Sequence, residues 1–414
     1  MKRLLRNYFK TFDGLSREIW WLSLITLINR AGAMVIPFLS IYLNKSLHFT
    51  LGDVGWIMTA YGLGSFFGAW LGGKLCDIIG YYKVILFSLL LTGVNFLWVM
   101  HIESFWAMCG SFFVLIAIAD MGRPAFFVAL SAYSKPENKT RSLTLLRLAI
   151  NLGFSAGPAV GGFLIASAGY DALFYVDGIT CILAGILMTQ VLNPKKTKEL
   201  DKEVKVINPR RPLMDMPYML FLVALAIFGI IFIQYFSTVP LFYKDVYKLS
   251  EDSIGLILAL NGVLIVVFEM PLIAWMDKKN FSNIQNTVIG LLMTGASFLL
   301  LLWETWVGVV VIGMVIATFG EMISFPFSNK FALDRAKLGR QGAYMGIYSM
   351  SFSIAHIFGH NSGMQIIEAY GFKVTWFFLI GLTLIAWFLL FLVRRMLEAE
   401  EASERLSLTP KLDK

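Results

Sequence analysis

Gly73-Lys74-Leu75-Cys76-Asp77-Ile78-Ile79-Gly80-Tyr81-Tyr82-Lys83 stands between two long apolar runs. An acid, two lysines and two glycines are gathered at the place where one run ends and the next begins. Glycine tolerates the backbone angles of a tight turn. An aspartate set against a helix terminus and basic residues can close an ion-pair latch. The runs on either side decide the class of the molecule. A helix rises about 1.5 Å per residue, so about 20 apolar residues cross the hydrocarbon core of a bilayer.

Working outward, such runs recur at 17–43, 52–74, 83–101, 104–133, 140–166, 171–192, 216–246, 252–276, 283–303, 306–333, 340–368 and 372–396. Apolar residues make up 57% of the 414 positions and charged residues 15%, and the mean hydropathy is +0.70. A soluble domain with so little charge could not cover its own surface, so lipid is the expected solvent for most of the chain. The expected architecture is an all-α membrane protein of twelve transmembrane helices in two pseudo-symmetric six-helix halves. The first half covers 1–192, a basic polar linker 193–215, the second half 216–396 and a polar tail 397–414. The N-terminal basic residues precede an apolar run that Arg30 interrupts, with no small-residue cleavage site after it, so the run reads as a retained span.

The halves echo each other at an offset of about 200. Asp77 falls on Asp277, Gly55 on Gly255, Pro37 near Pro240, Pro124 on Pro326, Gly157 on Gly359 and Gly161 on Gly363. Two such repeats predict a substrate cavity between them near the membrane midplane.

The formal net charge of +8 raises the question of nucleic acid, and the placement of the charges answers it. Of 35 lysines and arginines, 29 fall in alternate loops starting from the N-terminus, and only Lys45, Lys244, Lys248 and Lys373 in the opposite ones. That bias is the positive-inside pattern and predicts both termini in the cytoplasm. No basic module stands apart from the spans, so no nucleic acid is expected as partner. Cys76, Cys109 and Cys181 are scattered and form neither a disulfide framework nor a cysteine metal site.

The opening stretch, from Gly73 through Asp77 and Gly80 to Lys83, resembles the loop signature of the major facilitator superfamily, G-x-L-x-D-x-x-G-x-x-[K/R]. The second-half copy around Asp277 keeps the acid but lacks the glycines. Gly153-Phe154-Ser155-Ala156-Gly157-Pro158-Ala159-Val160-Gly161-Gly162 is similar to the G-x-x-x-G-P-x-x-G-G motif of the twelve-span drug:proton antiporter families, although Thr144 stands where their upstream glycine would be. Small residues on one face admit a close helix partner, and that alone accounts for the motif as packing. The resemblance implies a transporter of a small-molecule substrate, by alternating access, in a bacterial cytoplasmic membrane, with Asp77 as a latch and helices one and four of each half lining the cavity.

Charged groups inside a bilayer cost about 2.5 to 3.5 kcal/mol or more each, which makes them functional candidates. Arg30 lies 13 residues into the first span. Asp120 and Arg123 stand three apart on one face of the fourth. A carboxylate beside arginines is held ionised until a proton or a substrate competes for it. The bland alternatives are a local ion pair and a cation satisfied by carbonyls. Glu321 lies mid-span among apolar and weakly polar sequence neighbours, which favour its neutral form and suit it to carry a proton. Asp120 and Glu321 are therefore the candidate proton-coupling residues. His356 and His360, four apart, have a spacing that can chelate a metal, and serve equally as polar lining or proton relay; no metal and no cofactor is assigned. Gln234, Asn261 and Asn361 join Arg30, Arg123 and the histidines as candidate cavity residues. Arg147, Asn151, Glu269, Gly157, Pro158 and Asp277 join the loop signature as candidate gating residues. Met34, Phe127, Tyr235, Phe325 and Tyr348 form either an adaptable apolar wall or ordinary packing.

The expected function is proton-driven transport of small amphipathic solutes, with export favoured and the protein working as a monomer among its lipids. Proton-coupled uptake of peptides is the alternative, implied by the arginine in the first span and the carboxylate in the tenth, although the E-x-x-E-R pattern of peptide transporters is absent before Arg30. An intramembrane metalloenzyme would need a pattern such as H-E-x-x-H, which the chain lacks.

Overall fold

The computed structural model describes residues 14–135, 139–194, 211–276, 278–279, 281–303, 306–336 and 341–408. Nearly all of them are helical. In chain order the helices are α1 (Arg17–Ala31), α2 (Val35–Ile41), α3 (Leu51–Ile79), α4 (Tyr81–Val99), α5 (Phe105–Tyr133), α6 (Lys139–Ala168) and α7 (Asp171–Val191). After the linker come α8 (Met216–Ile233), α9 (Thr238–Asp245), α10 (Glu251–Met276), α11 (Asn283–Leu301), α12 (Gly308–Ala336) and α13 (Gln341–Leu408).

Among the described residues, ten helices are long and apolar enough to cross a membrane. Two features separate that number from the twelve expected runs. The helix Leu51–Ile79 is long enough but is not among the ten. The stretch Tyr344–Ser403 counts once, although Gly371, at φ 80°, breaks α13 into two helices. Only glycine adopts that angle without strain.

The signature loop is shorter than its glycines suggest. Gly80, at φ 82°, is the whole turn: α3 ends before it and α4 begins after it. Gly73 lies one turn and a half back inside α3, with open space where a side chain would be. The backbone of Asp77 belongs to the last turn of α3, while its side chain lies outside the described features, as does Asp277 altogether.

Two of the expected spans are broken helices. The first bends at Gly32–Met34 between α1 and α2. The seventh bends through a 3₁₀ turn, Gln234–Phe236, between α8 and α9. Both breaks follow a membrane-spanning run and leave backbone groups that lipid cannot satisfy.

By backbone contacts the chain divides into two compact units. One comprises 1–204, 234–268 and 356–369, and the other 205–233, 269–355 and 370–414. In the first, α3 and α5 pack through Gly64, Gly68 and Gly72, each seated against the backbone of Phe113, Ala117 and Met121 in turn. This four-residue spacing of glycines lets two helix backbones approach without side chains between them. Ile19, Leu22, Val84, Ile85, Ala125 and Ala129 form its apolar core. In the second unit Met276, Ile323 and Phe327 cluster between α10 and α12, and Arg335 grips Asp215 through two hydrogen bonds of 2.7 Å. Large apolar side chains are exposed along most helices, and Trp98, Trp106, Trp303 and Trp306 near helix ends are each more than half exposed. Such a surface belongs in lipid, with tryptophans at the membrane–water boundary.

Candidate functional site

Asp120 is the centre of the site in the first unit. The α3–α5 glycine seam brings Ser65 to it, and the Ser65 hydroxyl donates to Oδ2. Arg123, one turn on, donates to Oδ1 at 2.8 Å. The aspartate is 8% exposed, whereas the Arg123 side chain is 48% exposed. The pair is therefore asymmetric: the acid is sequestered and the guanidinium opens outward.

Arg30 ends α1, where the backbone of α6 leaves just enough room for it. A methyl group built on Gly153 would meet Arg30 Cβ at 2.5 Å. The guanidinium lies 5.4 Å from the centre of the Phe154 ring. Arg30 Nε is buried without a hydrogen-bond partner. Asp120, Arg123, Tyr61 and Cys181 lie within electrostatic reach of Arg30.

Tyr61 of α3 faces the histidines of α13. Its ring centre lies 5.9 Å from that of His356 and 6.0 Å from that of His360. His356 Nδ1 and His360 Nε2 are 3.4 Å apart, and His360 Nδ1 is buried with no partner. Asp120 and Arg123 act electrostatically on His356 as well. Asn361 donates to Thr59 at 2.9 Å. Gln234 is fully buried in the α8–α9 break and donates to Gly359 O at 2.7 Å, while Thr238 donates to its carbonyl oxygen at 3.0 Å. Asn261, Asn151 and Arg147 lie elsewhere along α10 and α6, half-buried in the first two cases and exposed in the third.

Asp177 was not among the residues picked from the sequence. It is fully buried on α7 and accepts from the backbone N–H of Met34 at 2.9 and 3.0 Å and of Val35 at 2.9 Å. It thus satisfies the amides that the α1–α2 break exposes. Tyr61 and Ser65 were missed too, because nothing in their own stretch marks them. The Gly64, Gly68, Gly72 spacing would have pointed to the helix pairing that delivers Ser65.

The Gly153–Gly162 motif packs on both sides. Gly157 and Gly161 lie against Ala31, Ala33 and Met34 of the first span, and Gly162 against Glu251. Pro158 O meets Gly255, and Ser155 donates to Ala259 O at 3.0 Å. At the same end of this unit Lys45 pairs with Asp245 and Lys244 with Glu251, each at 2.7 Å. Tyr170 donates to Glu251 at 3.1 Å.

Glu321 lies in the second unit, half-buried on α12. One turn further, Phe325 is surrounded by the rings of Phe228, Phe232 and Phe352 at 5.4, 4.9 and 5.5 Å. Tyr348 is buried and shares a hydrogen bond of 3.1 Å with Ser328. Glu269 is half-buried on α10. Of the apolar residues in the first unit, Met34 and Tyr235 are buried and Phe127 is 56% exposed. Among the described residues no three His, Cys, Asp or Glu side chains are grouped to hold a metal ion.

A model of the Major Facilitator Superfamily matches residues 22–360. An uncharacterized MFS-type transporter of Bacillus subtilis, YttB, is 25% identical over 370 residues, covering 87% of this chain and 90% of its own. The quinolone resistance protein NorA of Staphylococcus aureus is 26% identical over 349 residues, covering 81% and 86%. Among solved structures, a POT family transporter in complex with 5-aminolevulinic acid superposes with a TM-score of 0.76 at 16% identity, covering 92% and 96%. The nucleoside transporter NupG does so with 0.73 at 12%, covering 91% and 99%.

Proposed function

The chain belongs to the Major Facilitator Superfamily, a family of multi-pass membrane transporters, and from that premise we propose that it exports small amphipathic organic solutes by alternating access, driven by protons. The observation that carries this reading is the buried carboxylate of Asp120, held by Ser65 and Arg123 inside a membrane-spanning helix and within electrostatic reach of Arg30. A carboxylate in that position responds to anything that competes for its arginines. The likeness to NorA over four-fifths of the chain, together with the Gly153–Gly162 motif, favours export and solutes of the quinolone type.

In this reading Glu321 carries the proton and Asp120 stays ionised as the counter-charge of the arginines. The aromatic residues around Phe325 supply an adaptable apolar wall. Asp77 latches the cytoplasmic side, with Arg147, Asn151, Glu269 and Asp277 as further gating groups. The two homologous halves, 1–192 and 216–396, rock about the site, and the paired helix breaks at Gly32–Met34 and Gln234–Phe236 support that duplication. The likeness to bacterial transporters supports a bacterial cytoplasmic membrane, and the lysine and arginine asymmetry supports both chain termini inside. Purified protein in liposomes with an imposed pH gradient tests the reading. A quinolone should accumulate against its own gradient, in the direction opposite to proton flow, and the accumulation should collapse with a protonophore. Proton-coupled accumulation of a dipeptide with no quinolone movement would replace export with uptake.

A further inference from the structure

Among the described residues that act most strongly on Arg30, positive charge outnumbers negative. The groups that act on it electrostatically are Arg123, Asp120, Tyr61 and Cys181. Near neutral pH tyrosine and cysteine are uncharged, so among these groups two guanidinium groups meet one carboxylate; Asp177, the other buried acid of this region, is already engaged by the backbone N–H groups of Met34 and Val35. The histidine pair, His356 and His360, adds positive charge if it titrates and never negative charge. Both oxygens of Asp120 are already engaged, one by Arg123 and one by Ser65. Arg30 Nε is buried with no acceptor, and Nδ1 of His360, a residue only 3% exposed, is buried with no partner. The Phe154 ring lies 5.4 Å from the Arg30 guanidinium, while the Arg123 side chain is half open. A cluster inside a membrane whose arginines outnumber the carboxylate between them, and whose buried nitrogens include two without partners, is built to receive a polar group from outside.

We propose that the Arg30–Arg123 pair binds a carboxylate on the transported solute, so that the substrates of this protein are amphipathic organic acids. The planar guanidinium fork suits two parallel bonds to carboxylate oxygens. The unfilled His360 nitrogen and the Tyr61 ring lie alongside to discriminate the group attached to the acid. This inference rests on the reading that the Asp120 cluster lines the transport site, but its test needs binding alone and not flux.

Equilibrium dialysis of the purified full-length protein in detergent would compare three fluorescent probes of one ring system: 1-pyrenebutyrate, its uncharged amide and 1-pyrenemethylammonium. The butyrate should bind more tightly than the amide by on the order of 10-fold, the scale of a charge-assisted hydrogen bond, and the ammonium more weakly still. Arg30→Gln and Arg123→Gln should each bring the butyrate-to-amide ratio near one. Should those variants fail to fold, Arg30→Lys keeps the charge and loses the fork, and an intermediate ratio is expected. A ratio near one in the unmodified protein, tightest binding of the ammonium, no saturable binding of the butyrate, or a ratio unchanged in the arginine variants overturns the proposal. Loss of proton-driven export in liposomes with the butyrate preference intact would overturn the export reading and leave this one standing.

Discussion

Asp120 and Arg123 were legible as a pair from their spacing alone, and the structure adds what spacing cannot: which of the two is dry. A fully buried pair that loses one partner costs about 3 to 5 kcal/mol. Here Arg123 is half in the open, so the cost of removing the acid lies closer to that of one or two charge-assisted hydrogen bonds, about 1.5 to 3 kcal/mol. Asp120→Asn should therefore still fold, with a lower melting midpoint in detergent and reduced yield. Glu321→Gln should behave differently. A permanently neutral side chain mimics the protonated state, so solute exchange down its own gradient should persist while pH-driven accumulation is lost. Counterflow and accumulation measured side by side on the two variants decide the assignment. Uphill transport kept by Glu321→Gln and lost by Asp120→Asn, with counterflow intact in the latter, would exchange the two roles.

At the scale of the element, the break between α1 and α2 ties the first span to the site. Three residues leave the helix at Gly32–Met34: the amides of Gly32 and Ala33 donate back to Ile28 O and Arg30 O, and those of Met34 and Val35 find their acceptors on Asp177 of α7. The carboxylate thus fixes where the helix stops, and with it where Arg30 is presented. Asp177→Ala should leave two buried amides unsatisfied, at about 1 to 3 kcal/mol each. Asp177→Asn keeps an acceptor oxygen and should recover most of the loss. Thermal melting of both variants checks this, and equal destabilisation by Ala and Asn would remove the amide-acceptor role. Apart from Arg30, the hydropathy of the first span gives no sign of the break, because a break in a membrane helix depends on a partner brought from another helix. For the same reason Asp120 and Arg123, neighbours on one helix, were found together, whereas Tyr61, Ser65 and Asp177, which join the cluster or support it across helices, were not. Gly64, Gly68 and Gly72 are the exception, since their four-residue spacing encodes a helix contact within a single stretch of sequence.

For the whole molecule, topology is the first thing to fix. The positive-inside pattern expects a reporter that works only outside the cytoplasm to stay silent when fused to the C-terminus, and a strong signal would invert the orientation. That orientation puts the Lys45–Asp245 and Lys244–Glu251 pairs on the outer face, where the first joins helix ends from both halves of the chain and the second ties two neighbouring helices of the second half. Both are partly solvated, and such pairs contribute about 0 to 1 kcal/mol each. A seal of that strength would suit a gate that opens in every cycle, and beside it Gly162 packs on Glu251 and Pro158 on Gly255 at the level of the backbone. Two consequences follow from the magnitudes. In a background with Cys76, Cys109 and Cys181 replaced, Lys45→Cys with Asp245→Cys should transport at close to the rate of that cysteine-free parent, because the ion pair it removes is weak. Bridging the two thiols with o-phenylenedimaleimide should then stop transport, since the gate can no longer part, while leaving solute binding from the opposite face intact. Transport by the bridged protein at the unbridged rate would mean that these helix ends stay together throughout the cycle, and the gate would have to be sought elsewhere.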